Sequence, residues 1–306
     1  MRLAIVLPRG ARFDLERPTS IETVVRTLAA RSRWADRLTI VCEGDRPRSR
    51  PGAVGGPPGL GRRAWLEAVA DQLRRLGPDL VEHHQQLALS AALSRRLPEA
   101  AHLFYRHTVL KRPADPLSAW RYERRLSAFD RLVFVSGWAR DRFIGDYPAF
   151  RGRARALPNP IAFERWRADP DRREPLILFS GRATPEKGLD LFCQALAATL
   201  ERRPGWRGAL MLGEWRPGPN WAATHLRALE PFAGRVRVEA WAPLDVVREA
   251  TRRAAIAVVP SRVEEALGLT ALEAHAAGAA LISTRRGGLA EASGGHALPV
   301  GADPGG

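Results

Sequence analysis

The alternation of short apolar runs with helical patterns constrains the fold of this chain more than any other feature. Such alternation is typical of βα units and predicts parallel sheets covered by helices. Six candidate strands lie in the first half, at 3–7, 38–42, 79–83, 102–106, 131–135 and 153–157. Six more lie in the second half, at 176–180, 209–213, 236–240, 255–260, 280–284 and 297–300. The sequence therefore predicts an α/β protein made of two similar halves.

Two polar segments divide this pattern. The segment FERWRADPDRREP (163–175) is charged and carries two prolines, so it is predicted to link a domain at 1–162 to a domain at 176–306. The Pro/Gly-rich stretch RPRSRPGAVGGPPGLG (46–61) lies inside the first half and is predicted to be a loop. Doubly wound domains bind ligands at the carboxyl ends of their strands, so we expect the site there.

The formal net charge of +15 raises the question of an anionic partner. Only Lys111 and Lys187 among the 48 cationic side chains are lysines, and the arginines are scattered through helical segments. Scattered arginines favour solvated helix faces, with attraction to an anionic membrane or an acidic lipid acceptor as the alternative. A nucleic-acid-binding protein is a rival interpretation that depends on charge alone, and we expect no nucleic acid partner.

Targeting segments and cysteines limit the location. The start MRLAIVLPRG has five apolar residues in a row, and no later run approaches the roughly 20 residues that span a bilayer. We therefore expect a cytoplasmic protein, either free or peripheral to the inner face of the membrane. Cys42 and Cys193 follow apolar patterns and are predicted to be buried thiols, not a disulfide.

The segment LILFSGRATPEKGLDLF (176–192) predicts an anion site. A buried strand runs into Gly181 and Arg182, and Lys187 precedes an amphipathic helix. Free N–H groups at a helix start, with two cations beside them, suit a diphosphate. The spacing is neither that of a dinucleotide fingerprint nor that of a Walker loop. An ordinary βα turn with solvated charges is the alternative.

The segment VEEALGLTALEAHAAG (263–278) adds two carboxylates. Its helix is predicted to begin near Gly268 and to end at Gly278, with Glu265 in the preceding loop and Glu273 one to two turns inside. The amides expected to point at an anion are those of Gly268, Leu269 and Thr270. Carboxylates accept hydrogen bonds from sugar hydroxyls, so the segment is predicted to hold a nucleotide sugar.

These motifs carry a family resemblance. The order FSGRATPEKGLD, PSRVEEALGLTALEAHAAG and TRRGGLAE resembles the donor-binding domain of glycosyltransferase family 4 over about residues 176–300. FVSGWARDRF (134–143) and LPNPIAFERW (157–166) resemble the family more loosely. The resemblance implies the GT-B fold, in which two Rossmann-like domains face an interdomain cleft. It also implies a retaining, nucleotide-sugar-dependent enzyme.

The resemblance also assigns roles. Arg182 and Lys187 would neutralise the diphosphate, Glu273 would bind the ribose hydroxyls, and Glu265 would contact the donor sugar. His107 would occupy the place of the family's cleft histidine near the reacting sugar; a structural histidine is the alternative. The pair Gly287-Gly288 would pack close to the ligand.

No metal or other cofactor is expected. His83 and His84 are adjacent on a strand, so they point to opposite faces and cannot chelate one ion. Instead of a metal ion, the side chains of Arg182 and Lys187 and the helix amides are expected to stabilise the leaving diphosphate. Asp169 and Asp171 imitate a metal-binding pair but lie in the predicted linker.

Two features depart from the family. The first βα loop contains the single Gly10 where relatives often have a glycine pair, and relatives continue beyond GADPGG through further helices. The expected reaction is glycosyl transfer to a glycan or lipid-linked acceptor, in cell-envelope glycan, lipopolysaccharide or glycolipid synthesis. A GT-B epimerase that acts on the donor alone is a second rival.

Overall fold

The computed structural model describes residues 1–13, 18–43, 53–56 and 59–301. The chain divides into two compact units, Met1–Pro160 and Ile161–Gly306. Each unit is built around one parallel sheet, and each is described by itself.

The first unit contains a seven-stranded sheet in the order β3-β2-β1-β4-β5-β6-β7. Its strands are β1 (Leu3–Val6), β2 (Leu38–Glu43), β3 (Ala53–Gly56), β4 (Leu80–His84), β5 (Ala101–Arg106), β6 (Arg131–Phe134) and β7 (Ala154–Ala156). Its α-helices are α1 (Ser20–Arg31), α2 (Arg62–Leu76), α3 (Leu87–Ser94), α4 (Pro116–Leu126) and α5 (Gly137–Asp146). Two short 3-10 helices cover Ala35–Arg37 and Pro148–Phe150.

Local signals in the sequence set these elements. Helix α1 begins with a capping box, in which Thr19 accepts from the Glu22 amide and Glu22 accepts from the Thr19 amide. Helix α2 ends at Gly77 in a left-handed conformation. The apolar sides of α1 and α2 cover the two faces of the sheet, because β1 and β2 alternate their buried side chains between two core clusters.

The second unit contains a six-stranded parallel sheet in the order β10-β9-β8-β11-β12-β13. Its strands are β8 (Glu174–Arg182), β9 (Arg207–Gly213), β10 (Val236–Ala240), β11 (Ala254–Val259), β12 (Ala280–Ser283) and β13 (Leu298–Pro299). Its α-helices are α6 (Phe163–Trp166), α7 (Leu189–Arg202), α8 (Trp221–Leu226), α9 (Leu244–Arg253), α10 (Leu269–Ala277) and α11 (Leu289–Ala292). Three 3-10 helices cover Pro170–Arg172, Pro185–Lys187 and Arg227–Arg235.

The second sheet is covered on both faces. Helix α7 packs Leu189, Cys193 and Leu196 against Phe179 and Leu210 on one face. Helix α9 packs against Leu176, Leu178, Ala209 and Met211 on the other face. Strand β8 is followed in sequence by its neighbour on one side, β9, whereas its neighbour on the other side is β11. The strand order therefore reverses between β8 and β11, and doubly wound sheets bind ligands at such a crevice.

All twelve predicted strands are confirmed, with ends that shift by one or two residues. Strand β3 was not predicted, because Ala53–Gly56 lies within the stretch 46–61 that was assigned to a loop. Its two glycines disfavour a strand, but parallel pairing with β2 at the sheet edge outweighs that preference. Residues 46–52 and 57–58 of the predicted loop lie outside the described residues, as do residues 302–306 of GADPGG.

The predicted linker, 163–175, belongs to the second unit, which begins at Ile161. Trp166 is only 3% exposed, and the Arg248 guanidinium lies 5.5 Å from the centre of its ring. The side chain of Arg173 donates to the carbonyls of Ala254 and Ala277. The polar composition predicts a linker between domains, but the buried Trp166 and the bonds from Arg173 to the carbonyls of Ala254 and Ala277 fix the segment to the second unit.

The two cysteines are free and buried, as predicted, and they lie in different units. Over the parts of the chain that are described, no helix combines the length and the apolar composition needed to cross a membrane.

Candidate functional site

The carboxyl ends of β8 and β11 bring the sequence motifs of the second unit together. Strand β8 leads through the 3-10 turn Pro185–Lys187 into α7, and β11 leads through a loop into α10. The hydroxyl of Thr270, in the first turn of α10, donates to the carbonyl of Ser180 near the end of β8. The motifs 176–192 and 263–278, separate in sequence, therefore meet at the crevice between these two strands.

Lys187 and Glu265 form the centre of this site. The Lys187 ammonium lies 2.5 Å from Oε1 of Glu265, and these side chains are 24% and 16% exposed. Ser261 donates its hydroxyl to the same carboxylate oxygen over 2.6 Å. The second oxygen, Oε2, accepts no hydrogen bond from a described residue. The carboxylate thus holds the lysine at the strand end through Oε1 and leaves Oε2 without a partner among the described residues.

Arg182 lies at the end of β8 and is more exposed than Lys187. Its guanidinium lies 3.3 Å from Glu186 and 3.5 Å from Glu214. Because all three side chains are more than a third exposed, water weakens these ion pairs. Arg182 is therefore a more exposed and more weakly paired cation than Lys187.

Helix α10 begins at Gly268 and ends before Gly278, as the sequence predicts. No side chain caps its start. Among the described residues, none accepts a hydrogen bond from the N–H groups of Gly268, Leu269 and Thr270. Unpartnered amides and the positive end of the helix dipole make this terminus suited to an anion.

Glycine is required at positions around the site for different physical reasons. Gly268 has φ +103°, and a Cβ there would meet Leu289, so its conformation already requires glycine. Gly287 and Gly288 pack against the backbone of Glu265 and Ala266 at distances that no Cβ tolerates, which is a protein contact. At Gly181, in contrast, a Cβ would meet only the Phe179 ring, at 3.6 Å. Packing within the protein does not account for glycine at 181.

Gly188 joins the two motifs. It has φ +70°, and a Cβ built on it would lie 2.1 Å from the carbonyl oxygen of Pro260. The start of α7 can approach the end of β11 only because this residue has no side chain. That approach places Lys187 beside Glu265.

Glu273 lies in the second turn of α10, where the sequence places it, and is half-buried. Burial raises the pKa of its carboxyl group to about 7, and the charge of Arg248 offsets part of this rise. No described residue donates a hydrogen bond to it. Its carboxylate is therefore poised between the neutral and the ionised form near neutral pH.

His107 lies in the first unit, just after β5. Its Nε2 is 2.7 Å from Nδ1 of His84, and its ring stacks on Tyr105 with centroids 4.7 Å apart. Burial lowers the pKa of His107 well below its ordinary value, with contributions from His84 and Arg106. Neutral His107 can exchange hydrogen bonds but carries no charge at neutral pH.

The adjacent histidines point to opposite faces of β4, as predicted. The ring of His83 pairs with His102 over 3.0 Å, whereas the ring of His84 pairs with His107. Within the described part of the chain, no group of three or more His, Cys, Asp or Glu side chains is placed to hold a metal ion. Asp169 instead caps the short helix Pro170–Arg172 by accepting from the Asp171 amide.

The first βα loop is held from two directions. Gln86 exchanges two hydrogen bonds with the backbone of Arg9, and Glu43 accepts from the Gly10 amide. The single Gly10 has φ +92°, a conformation that favours glycine. Residues 14–17, which follow in the same loop, lie outside the described residues.

Three supporting residues were not predicted from the sequence: Ser261, Glu82 and His84. Ser261 follows the proline that ends β11, and a hydroxyl at a strand end gives no specific signal. Glu82 and His84 are two residues apart on one strand, so their side chains share a face, and this spacing predicts contact.

Comparison with known proteins supplies the family. Residues 20–165 match the family model described as Glycosyltransferase Family 4, and residues 174–304 match the one described as Glycosyl transferases group 1. The chain belongs to glycosyltransferase family 4. The first match covers most of the first half of the chain, and the second match covers most of the second half.

Curated relatives share part of the chain. D-inositol 3-phosphate glycosyltransferase 2 from Catenulispora acidiphila is 33% identical over 184 residues, which are 55% of this chain and 43% of that protein. The D-inositol 3-phosphate glycosyltransferase from Frankia alni is 30% identical over 261 residues, 74% of this chain and 64% of that protein. The match to the Catenulispora protein thus spans less than half of that relative's length.

Solved structures confirm the fold of this family 4 member. HepE from Anabaena in complex with UDP and glucose has a TM-score of 0.74 at 14% identity, covering 95% of this chain and 83% of that one. A sucrose-phosphate synthase from Thermosynechococcus elongatus has a TM-score of 0.72 at 17% identity, covering 94% and 82%. The two doubly wound units therefore have the GT-B fold.

Proposed function

We propose that this chain transfers a glycosyl group from a nucleoside diphosphate sugar to an acceptor hydroxyl, with retention of the anomeric configuration. The observation that carries the proposal is the contact of Lys187 with Glu265 beside the unpartnered amides of α10. A cation and helix amides suit a diphosphate, and a carboxylate suits a sugar hydroxyl. Family membership and the UDP-glucose in one HepE structure support this choice of ligand.

The donor-binding residues follow from this arrangement. Lys187, Arg182 and the amides of 268–270 neutralise the diphosphate, and Gly181 leaves its backbone open to the ligand. Glu265 accepts from a hydroxyl of the donor sugar through Oε2. Glu273 accepts from the ribose hydroxyls in its ionised form.

The chemical step breaks the bond between the anomeric carbon and the diphosphate oxygen and forms a bond to the acceptor oxygen, whose proton passes to the leaving diphosphate oxygen. Negative charge develops on the leaving diphosphate, and a preorganised cation stabilises that charge more than it stabilises the ground state. Lys187 provides such a cation without a metal ion, because Glu265, which itself accepts a hydrogen bond from Ser261, holds it in place. In the first unit, His107 contributes a neutral ring that can form a hydrogen bond with a hydroxyl group.

The acceptor is proposed to be a glycan or a lipid-linked group at the cytoplasmic face of a membrane. The support is a stripe on α4 formed by Leu117, Trp120, Arg121 and Arg124, spaced so that they lie on one side of the helix. Leu117 and Trp120 are each 54% exposed, and both arginines are exposed. Apolar side chains beside cations suit an anionic lipid surface.

Calorimetry with UDP, GDP and ADP, and with their glucose or mannose derivatives, tests the donor site. We expect one nucleoside diphosphate to bind the wild-type protein. Lys187→Ala should weaken that binding at least tenfold, whereas Lys111→Ala, the matched change at the other lysine, should not. Glu273→Ala should weaken binding of the nucleoside diphosphate itself. Absence of binding across the panel would contradict the proposal.

Product analysis separates transfer from the rival reactions. With the bound sugar nucleotide and a mixed glycolipid extract, the product should carry the same anomeric configuration as the donor, read by proton NMR. Conversion of the donor without an acceptor would indicate an epimerase or a hydrolase. Salt-sensitive binding to duplex DNA without nucleotide-sugar binding would favour the nucleic-acid interpretation.

A further inference from the structure

Three side chains of the first unit form a continuous hydrogen-bonded chain that ends at His107. Oε1 of Glu82 lies 2.7 Å from Nε2 of His84, and Nδ1 of His84 lies 2.7 Å from Nε2 of His107. The side chain of His84 is fully buried and that of Glu82 is 22% exposed. No described residue bonds to Nδ1 of His107, the last atom of the chain.

The chemistry of the first group fixes the proton positions along the chain. An ionised carboxylate only accepts hydrogen bonds, so Nε2 of His84 must carry a proton. In a neutral ring the other nitrogen, Nδ1 of His84, is then an acceptor, and it must receive the proton on Nε2 of His107. Nδ1 of His107 is left with a lone pair and without a proton.

We infer that Glu82 and His84 are positioning residues that set the tautomer of His107, so that His107 presents Nδ1 as a hydrogen-bond acceptor. A ring in this state accepts from a hydroxyl and is repelled by a phosphate oxygen. The inference deepens the proposed function, on which its catalytic consequence rests. It assigns His107 a sugar or acceptor hydroxyl as its partner and excludes the diphosphate.

The packing around the two rings holds them in place. His84 and His107 stack on Tyr105 with centroid separations of 5.2 Å and 4.7 Å, so neither ring can turn freely. The guanidinium of Arg106, the neighbouring cation, donates to the carbonyls of Gln85 and Thr108. The low pKa of His107 agrees with a neutral ring.

The opposite face of β4 provides an internal reference. Nε2 of His102 lies 2.9 Å from the carbonyl of Leu97, and Nδ1 of His102 lies 3.0 Å from Nε2 of His83. Because a carbonyl only accepts, the same reasoning leaves Nδ1 of His83 unprotonated. That atom is buried without a partner. A backbone carbonyl fixes this pair, so a change at Glu82 should not affect it.

Nitrogen-15 NMR of the histidine rings in the full chain at pH 8 tests the inference without a substrate. In the wild type, we expect His107 to favour the Nε2–H tautomer by at least about tenfold. In Glu82→Gln, the amide can donate as well as accept, so the ratio should fall towards unity. The matched change is Glu67→Gln on α2, whose carboxylate pairs with Arg96, and it should leave the tautomer ratio of His107 unchanged.

Two results would overturn the inference: an Nδ1–H tautomer of His107 in the wild type, or an unchanged ratio in Glu82→Gln. The wild-type spectrum decides even if the variant does not fold. The His83 resonances should be the same in all three proteins. A change in them would indicate a general disturbance of the first unit. Under the proposed function, Glu82→Gln also lowers kcat. If the wild-type protein binds no nucleoside diphosphate in calorimetry, the proposed function is refuted, but the tautomer result still stands.

Discussion

The two units have similar sheets, but their strand ends are built from different chemistry. At the ends of β4 and β5, the polar groups include two stacked histidines, His84 and His107, that bond to one another. At the ends of β8 and β11, they are ion pairs: Lys187 with Glu265, and Arg262 with Asp190. The strand ends of the first unit therefore carry stacked rings, whereas those of the second unit carry pairs of opposite charges.

Under the proposed function, the two sets of side chains bind different groups of the substrate. Ion pairs that are partly shielded from water stabilise a new charge strongly, which a diphosphate requires. Neutral rings form directional hydrogen bonds without attracting anions, which suits hydroxyl groups. The fold alone does not decide which unit binds which part of a substrate; the side chains at the strand ends do.

The largest effect is expected when the ion pair of Lys187 with Glu265 is removed from the second unit. Lys187→Ala should lower kcat by about a hundredfold to a thousandfold, because one preorganised donor to a developing anion is worth about 2.7 to 4 kcal/mol. Lys187→Arg should lose about a hundredfold, because the wide planar guanidinium does not reproduce the compact charge that Glu265 holds. Steady-state kinetics, with folding checked by circular dichroism, measure both. Lys111→Arg is the control; near wild-type turnover in Lys187→Arg would disprove the need for a compact charge.

The next effect concerns the approach of the two motifs. Gly188→Ala should destabilise the second unit by about 3 kcal/mol, because a methyl group at a left-handed residue would collide with the Pro260 carbonyl. Gly205→Ala is the matched change, since no heavy atom lies within 4 Å of a Cβ there. Urea unfolding followed by tryptophan fluorescence compares the two variants. Equal stability would mean that the approach of α7 to β11 is not tight.

A smaller effect comes from Glu273, whose pKa is raised to about 7. Between pH 4.5 and 7 the folded state keeps a proton that the unfolded state has released, so stability falls as pH rises. Glu273→Gln removes this penalty and should raise the melting temperature at pH 8 more than at pH 5. Thermal unfolding at the two pH values measures the change, with Glu201→Gln on the exposed side of α7 as control. A gain of the same size at both pH values would argue against a raised pKa.

The smallest effect concerns the exposed stripe of α4. Binding to vesicles with anionic lipid should exceed binding to neutral vesicles and should weaken as salt is added. Trp120→Ser should reduce binding severalfold, whereas Trp34→Ser, in the turn after α1, should not. Co-sedimentation measures the bound fraction. Equal binding to both vesicle types would leave the arginines as solvated helix faces.

The sequence predicts most of this architecture because βα alternation is a strong signal. The strands of both sheets and the limits of α10 follow from apolar runs and glycine positions. Strand β3 and the docking of Trp166 do not, because they depend on pairing and burial that only the folded chain supplies. The motifs locate Lys187, Glu265 and Glu273 correctly on their elements. The hydrogen bond from Ser261 to Glu265 gives no specific signal in a loop sequence. The spacing of Glu82 and His84 predicts their contact, but the contact of His84 with His107, which lies after the next strand, depends on strand pairing that a linear pattern does not reveal.

The loop between β11 and α10 has a consequence for amide hydrogen exchange. The Arg262 amide donates to the Glu186 carbonyl over 2.8 Å, and the Gly288 amide donates to the Glu265 carbonyl over 2.7 Å. The loop is thus tied to the segments that follow β8 and β12. Exchange at these two amides requires those segments to separate, so it should follow the opening of the whole unit instead of local fluctuation. Their protection factors should then match those of the central strand β8, although both amides lie outside regular secondary structure.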